Sequence, residues 1–459
     1  MTKLTFGDLC SYCTNEHEIC NYLRPDMPID GFSCDSRSIS PMQVYVAIEG
    51  ARVDGHNYVD EAFEKNALLA IVKKDFVPSN PNFPLIRVNN PVQALQHFAK
   101  QHLMRCRAKV LAITGSLGKT STKDFAYEFL KTTFRTKKSL ANHNSQIGLA
   151  LTLLNQIEKE DEIAVLEMAM TEYGQIQKLV SVAPPLLACI SHIAHVHFER
   201  FGGLEGIARA KSEIFSSPMT QYGIVNEDAP HSDILKSTGT CQKLTFSKDL
   251  SSDAYWKYEI TNTHFRVYEG SDCYEYVKLL DFPEHQYQNV LLAIAIARTM
   301  GVSIENIKET YNTLKLSSMR LQREVLQGIT FFNDAYNAAE LSMKGALSYI
   351  KAQTCSGRKF AVLGQMPELG VISEQAHRNV ALHALECVDF LVCLGKDCTS
   401  MVQVWKEHQR DAICFSDFSE LVQYSKKKFA PADMVLLKAK NTLQLWRLLE
   451  FFKDDILHN

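Results

Sequence analysis

Apolar residues fall along this chain in two alternating patterns, short continuous runs and stretches at helical spacing. Runs at 110–113, 163–168, 185–191 and 223–226 predict buried strands. Segments near 120–132, 145–155, 174–182 and 204–216 predict the helices between them. The alternation returns later, with strands near 329–333, 359–363, 389–394 and 434–437. The helices paired with those strands are predicted near 340–351, 374–386, 418–429 and 442–452. Strands alternating with helices form a mainly parallel sheet with helices on both faces. Residues 253–280 depart from this: Tyr, Thr and Val without helical period predict an antiparallel hairpin insertion. Helix 287–300 carries Val290, Leu291, Ala293, Ile294 and Ala297, so it is expected inside. Near the start, 44–48 reads as a strand and 59–67 as a helix through Val59, Ala62, Phe63 and Ala67.

The fold class expected is α/β in three domains. Residues 1–106 form a small α/β unit, 107–315 a central unit of P-loop type, and 316–459 a smaller Rossmann-like unit. At 459 residues the chain is too long for one core. Hydrophobic content of 46% with 22% charged residues is that of an ordinary globular protein. A net charge of −3 without a long basic run argues against a general nucleic-acid binder. The N-terminus lacks a basic segment followed by an apolar core, so no signal peptide is expected. No apolar run approaches the ~20 residues that span a bilayer, so no membrane association is expected. Thirteen cysteines lie scattered without C-x-x-C pairs, which reads as reduced thiols in a cytoplasmic protein.

Residues 108–124 carry the first chemistry. An apolar strand is broken by Gly115, Ser116, Leu117 and Gly118, and a helix opens at Lys119, Thr120 and Ser121. Strand, glycine turn and helix make a phosphate cradle: loop amides face the anion, Lys119 adds charge, and the Thr120 hydroxyl can ligate Mg²⁺. The spacing is G-x-x-G-K-T, shorter than the usual P-loop, and an ordinary turn between strand and helix is the alternative.

Glu167 ends a predicted strand, where ligands gather in open α/β sheets, and so can share Mg²⁺ with Thr120. His195 and His197 follow another strand end; they suggest a metal or only a surface turn. Lys211 lies on the apolar stripe of Leu204, Ile207, Ala208 and Phe215. A buried amine loses its proton readily and can capture CO₂ as a carbamate; a lysine that snorkels to water is the alternative. Asn142, His143 and Asn144 either cap the next helix or contact phosphate and metal. Asp334, Tyr336 and Asn337 follow a strand of the third unit, with Arg320 shortly before. Asp35, Ser36 and Arg37, with the loop Asp54-Gly55-His56, can hold a polar ligand or be solvated turns.

In this order the segments resemble the Mur ligase family. The resemblance is carried by 115–120, 142–148, Glu167-Met168, His197 and Ala210-Lys211-Ser212-Glu213-Ile214. It continues through His285 to Asn289, Arg320, Asp334-Ala335-Tyr336-Asn337 and 364–370. The Asp-x-Tyr-Asn-Ala and Gly-Gln-Met-Pro-Glu-Leu-Gly stretches are most similar to the branch that joins D-Ala-D-Ala to UDP-N-acetylmuramoyl-tripeptide. The resemblance implies ATP and two Mg²⁺ ions, with phosphates on Lys119 and the loop amides. Thr120 and Glu167 would hold one ion, and His197 with carbamylated Lys211 the other. Asn289 would contact adenine, Asp334 the ribose, Arg320 the phosphates, and Asp35-Ser36-Arg37 the UDP-sugar. Asn142, Asn144, Tyr336 and Asn337 would face substrate, and the chain would act as a monomer.

Four positions depart from the family pattern. Gln286 stands in His-Asn-x-x-Asn, Ala339 where an Asn usually follows Asn337-Ala338, and Gln365 in place of an Asp. Lys438-Ala439-Lys440-Asn441 replaces Lys-Gly-Ser-Arg. Two rival readings are a folylpolyglutamate synthase-like ligase and a non-enzymatic ATP-binding switch.

Overall fold

Val110 to Ile113 are buried and form the strand Lys109–Thr114, inside a nine-stranded sheet. The computed structural model describes residues 4–20, 23–140, 143–196, 198–279 and 282–453. From one edge the sheet runs Asp272–Val277, His264–Glu269, Trp256–Ile260, Gln242–Ser247 and Tyr222–Asn226. It continues through Leu187–Ile190, Lys109–Thr114, Ile163–Glu167 and Thr136–Lys138. Pairing is parallel from Trp256–Ile260 to the far edge. The first three strands are an antiparallel meander, one strand more than the hairpin expected at 253–280. The chain order reverses around Lys109–Thr114, with Ile163–Glu167 on one side and Leu187–Ile190 on the other. Ligands of open α/β sheets collect beyond the carboxyl ends at such a reversal.

Helices cover both faces. Glu284–Thr299 is buried nearly all round, as its apolar pattern predicts. It shares one core with Lys119–Leu130 through Phe125, Phe129, Val290 and Ile294.

The N-terminal sheet has Phe32–Ser33, Val44–Val46, Leu69–Lys73 and Leu85–Val88 in parallel, with Glu18–Cys20 antiparallel at its edge. The helix Pro91–Cys106 starts on an Asn90 cap, with proline at its first position where no N–H is needed. Its Leu95 and Phe98 enter the same core as Leu149 and Leu153 of the helix Gln146–Gln156. Asn155 Oδ1 accepts the Phe32 N–H at 2.7 Å, and its Nδ2 donates to Phe32 O at 2.9 Å. The first sheet is therefore joined to the central unit by apolar packing and by a two-bond clamp.

The C-terminal sheet runs Gln322–Leu326, Ile329–Asp334, Met434–Lys438, Lys359–Gly364, Phe390–Leu394 and Ala412–Phe415. Its first pair is antiparallel and the rest are parallel.

Two predicted helices change form. The helix at 442–452 is instead 3₁₀ turns at Asn441–Leu443 and Leu445–Leu449, then the short helix Glu450–Lys453. Gln444 takes φ +50 and breaks the run, while Leu445, Leu448, Leu449 and Phe452 still reach the core. A spacing of three and four residues serves 3₁₀ turns as well as an α-helix. The helix at 204–216 is α only over Leu204–Ser212 and closes as a 3₁₀ turn at Glu213–Phe215. All thirteen cysteines are free thiols. Among the described residues no helix is long and apolar enough to cross a membrane.

Candidate functional site

The phosphate loop is shaped by two glycines. Gly115 has φ +151, and a Cβ there would fall 2.0 Å from Ser191 Oγ. Gly118 has φ +82, and its Cβ would fall 2.2 Å from Asn289 Oδ1. Both positions combine a left-handed backbone with close approach of another segment, so only glycine fits. The loop is tied to the strand end beside it. Ser116 N donates to His192 O at 2.7 Å, and Ser116 Oγ to Ala194 O at 3.0 Å. Ser191 Oγ donates to Leu117 O at 2.5 Å.

The helix Lys119–Leu130 begins on Gly118 and has no side-chain cap. Its first amides are thereby left for an anion. Ser121 Oγ, in the same turn, is buried without a hydrogen-bond partner. Half-buried Lys119 turns its Nζ back onto Gly115 O at 2.8 Å and Ser116 O at 3.4 Å. Desolvation holds its pKa below the usual lysine value, with Glu167 acting in the opposite sense. An orphaned hydroxyl, uncapped amides and an ammonium turned onto loop carbonyls fit a nucleotide phosphate.

Thr120 and Glu167 meet at the mouth of this loop. Thr120 Oγ1 donates to Glu167 Oε2 at 2.9 Å, and Asn144 Nδ2 donates to Oε1 at 2.8 Å. Glu167 N donates to Ser139 Oγ at 3.1 Å, which fixes the strand end. A hydroxyl, a carboxylate and phosphate oxygens are the hard donors that Mg²⁺ takes. Lys211 is 4% exposed, and its Nζ makes no hydrogen bond or ion pair with any described residue. Desolvation, then the charge of Lys119, pushes its pKa well below the usual lysine value, against the pull of Glu167. The snorkelling alternative is excluded, because this side chain is buried. His197 and Asn142, expected as metal and substrate residues, lie outside the described residues. Among the described residues no three His, Cys, Asp or Glu side chains are placed to hold a metal.

The C-terminal unit closes the crevice. Arg320, Tyr336, Asn337 and Lys440 line a cavity of about 700 Å³ with the phosphate loop, Asn144 and Glu167. The Arg320 guanidinium lies 4.5 Å from the Tyr336 ring centroid. A second cavity, of about 610 Å³, opens on the other side of Leu117 and Gly118, between Asn289, Ser121, Asp334 and Lys438. Each volume suits a small-molecule ligand.

Some predicted contacts are already occupied. Asp334 Oδ2 accepts Lys438 Nζ at 2.5 Å, both groups being buried. Asn289 Nδ2 donates to Gln286 Oε1 at 2.9 Å, and Thr122 Oγ1 donates to its Oδ1 at 3.4 Å. The longer reach of Gln286 is thus used inside its own helix. Asp35, Ser36 and Arg37 line neither cavity. Arg37 pairs back onto Asp35 at 2.7 Å, and Ser36 Oγ donates to Glu61 Oε2 at 3.0 Å. Sequence reasoning missed Ser139, Ser191 and the pairing of Lys438 with Asp334. Lys438 carried a signal: it ends a strand, in register with Asp334 on the neighbouring strand.

Gly118→Ala is expected to lose roughly 1–3 kcal/mol of stability and to weaken ADP binding. Gly174→Ala is the control: φ is +79 there but nothing lies within 4 Å of the added Cβ, so strain acts alone. Melting curves with and without ADP check this. Equal losses in the two variants, with ADP binding intact, would rule out the Asn289 contact as the cause.

Comparison with known proteins matches this layout. The model of the Mur ligase middle domain matches residues 113–297 and that of the Mur ligase glutamate ligase domain 319–441. The model of the Mur ligase family catalytic domain matches residues 28–103. UDP-N-acetylmuramoyl-tripeptide–D-alanyl-D-alanine ligase of Bacillus subtilis (strain 168) is 32% identical over 92% of this chain and 93% of its own length. The crystal structure of MurF from Acinetobacter baumannii superposes with a TM-score of 0.82 at 24% identity, covering 94% of this chain and 95% of that one. MurF ligase from Thermotoga maritima in complex with ADP gives 0.77 at 25% identity, covering 93% and 98%. With a relative this similar over nearly its full length, and three domain models in the order of its three sheets, the chain belongs to the Mur ligase family.

Proposed function

We propose that this chain is an ATP-dependent amide ligase that joins D-Ala-D-Ala to UDP-N-acetylmuramoyl-tripeptide in peptidoglycan precursor synthesis. The observation that carries this reading is the meeting of Lys119, Thr120 and Glu167 in one crevice walled by Tyr336 and Lys440 of the C-terminal unit. Relatives named for that reaction match across almost the whole chain, which favours it over a folate-type ligase or an inert nucleotide switch.

A free carboxylate is a poor electrophile, so the amide needs activation. The γ-phosphoryl of ATP passes to the terminal carboxylate of the tripeptide, giving an acyl phosphate and ADP. The dipeptide amine attacks the acyl carbon, and inorganic phosphate leaves. Lys119 and the loop amides hold the phosphates where negative charge develops. Thr120 and Glu167 would hold Mg²⁺, which would supply neutralisation of phosphate charge. Lys211, as a carbamate, and His197 would hold a second ion. The unit 1–106 takes the UDP-sugar, 107–315 takes ATP, and 316–459 takes the dipeptide. Closure of the last over the crevice keeps water from the acyl phosphate. On this reading the chain works in the cytoplasm, where ATP is held.

The test is to incubate the chain with ATP, Mg²⁺, UDP-muramyl tripeptide and D-Ala-D-Ala, then weigh the product. The expected mass is that of both acceptors joined with loss of one water. Rapid ADP release without either acceptor, and no joined product, would sink the reading.

A further inference from the structure

Three cations line the cavity beyond the phosphate loop: Lys119, Arg320 and Lys440. Lys119 faces the loop carbonyls, and Arg320 stacks on Tyr336. Lys440 comes from the opposite wall, two residues beyond the strand Met434–Lys438. Its backbone is held in place, since Asn441 N donates to Tyr336 O at 3.0 Å and Leu443 N to Lys440 O at 2.9 Å. The Tyr336 side chain lines the same cavity as Thr120 and Glu167. Tyr336 therefore shares a cavity with Thr120 and, through its backbone carbonyl, holds the loop that carries Lys440.

Lys440 Nζ donates to Glu368 Oε1 at 3.0 Å, with the two side chains 31% and 33% exposed. An ion pair so open to water is worth little, about 0–1 kcal/mol. Its ammonium can leave Glu368 for a carboxylate brought by a ligand at small cost. Two extended residues reach roughly 7 Å at most, the scale of one tyrosine side chain.

We infer that Lys440 anchors the free carboxylate of the incoming dipeptide, and that Glu368 holds its ammonium while no acceptor is bound. This rests on the ligase reading given above and names a specificity-determining residue within it. A dipeptide held by its carboxylate at Lys440 points its amine along Tyr336 toward Thr120 and Glu167. That is the direction attack on an acyl phosphate requires. An acceptor without a carboxylate loses the anchor and the orientation together.

The experiment compares D-Ala-D-Ala with its C-terminal amide as acceptor. In the parent chain the amide should show a KM higher by roughly 10- to 100-fold, the worth of one charge-assisted hydrogen bond. Lys440→Ala should raise the KM for D-Ala-D-Ala by a similar factor and leave that for the amide unchanged. The KM for ATP should hold in every variant. Lys440→Arg should recover most of the preference, since it keeps the charge. The assignment falls if Lys440→Ala keeps the parent's preference, if it slows both acceptors equally, or if the parent takes both equally well. A parent chain that joins neither acceptor overturns the ligase reading itself, which separates the two failures.

Discussion

Lys119→Ala is expected to lower kcat/KM for ATP by on the order of 10²- to 10³-fold while leaving the fold intact. The expectation follows from where the ammonium sits. Among the described residues its Nζ is bonded only to two carbonyls of its own loop, Gly115 O and Ser116 O, so no distant described segment is bonded to it. Desolvation depresses its pKa, and phosphate oxygens placed in the loop would restore what the missing water no longer supplies. The group is thus better suited to a bound polyphosphate than to the ligand-free state. Lys119→Arg should rescue little, because a planar fork cannot occupy the place of a compact ammonium curled over a six-residue turn. Steady-state ADP release with all substrates present, beside calorimetric ADP binding, measures both effects. Kinetics indistinguishable from the parent would remove the loop from the chemistry.

What the sequence revealed and what it concealed divide by range. The loop 115–120 was legible because strand, turn and helix are one local unit, and its glycines are demanded by local backbone. Glu167 was legible as the last residue of an apolar run. Lys211 was legible as a charge on an apolar stripe, although the stripe alone left burial and snorkelling both open. The hidden features are pairings set by the three-dimensional arrangement. Asp334 and Lys438 are 104 residues apart, and only sheet register brings them together. Asn155 clamps Phe32 across 123 residues. Gln286 stood out only as a departure from the family pattern, and its side-chain bond with Asn289 one turn on was hidden. The 3₁₀ turns at 441–449 were hidden because buried leucines three and four apart satisfy both helix types.

On the carbamate reading, Lys211 would set stability against use. A buried amine with no partner among the described residues is a cost that folding alone gives no reason to keep. Lys211→Met keeps the volume and removes that cost, so its melting temperature should equal or exceed the parent's. Its ligase kcat should nevertheless fall by on the order of 10²- to 10³-fold. The chemistry explains the opposition. A neutral amine adds to CO₂, forming an N–C bond and releasing one proton, and the product carries two oxygens where an ammonium had been. Those oxygens would lie in the field of Lys119 and Glu167, the two charges that act on this amine. Lys211→Ala leaves a cavity for a small acid, so added formate or acetate should restore part of its activity, and the same acids should do nothing for Lys211→Met. Removing bicarbonate from the buffer should slow the parent and leave both variants unchanged. A bare Lys211→Ala chain with full activity would end the carbamate role. A Lys211→Met chain that loses stability and activity together would make this lysine a structural residue.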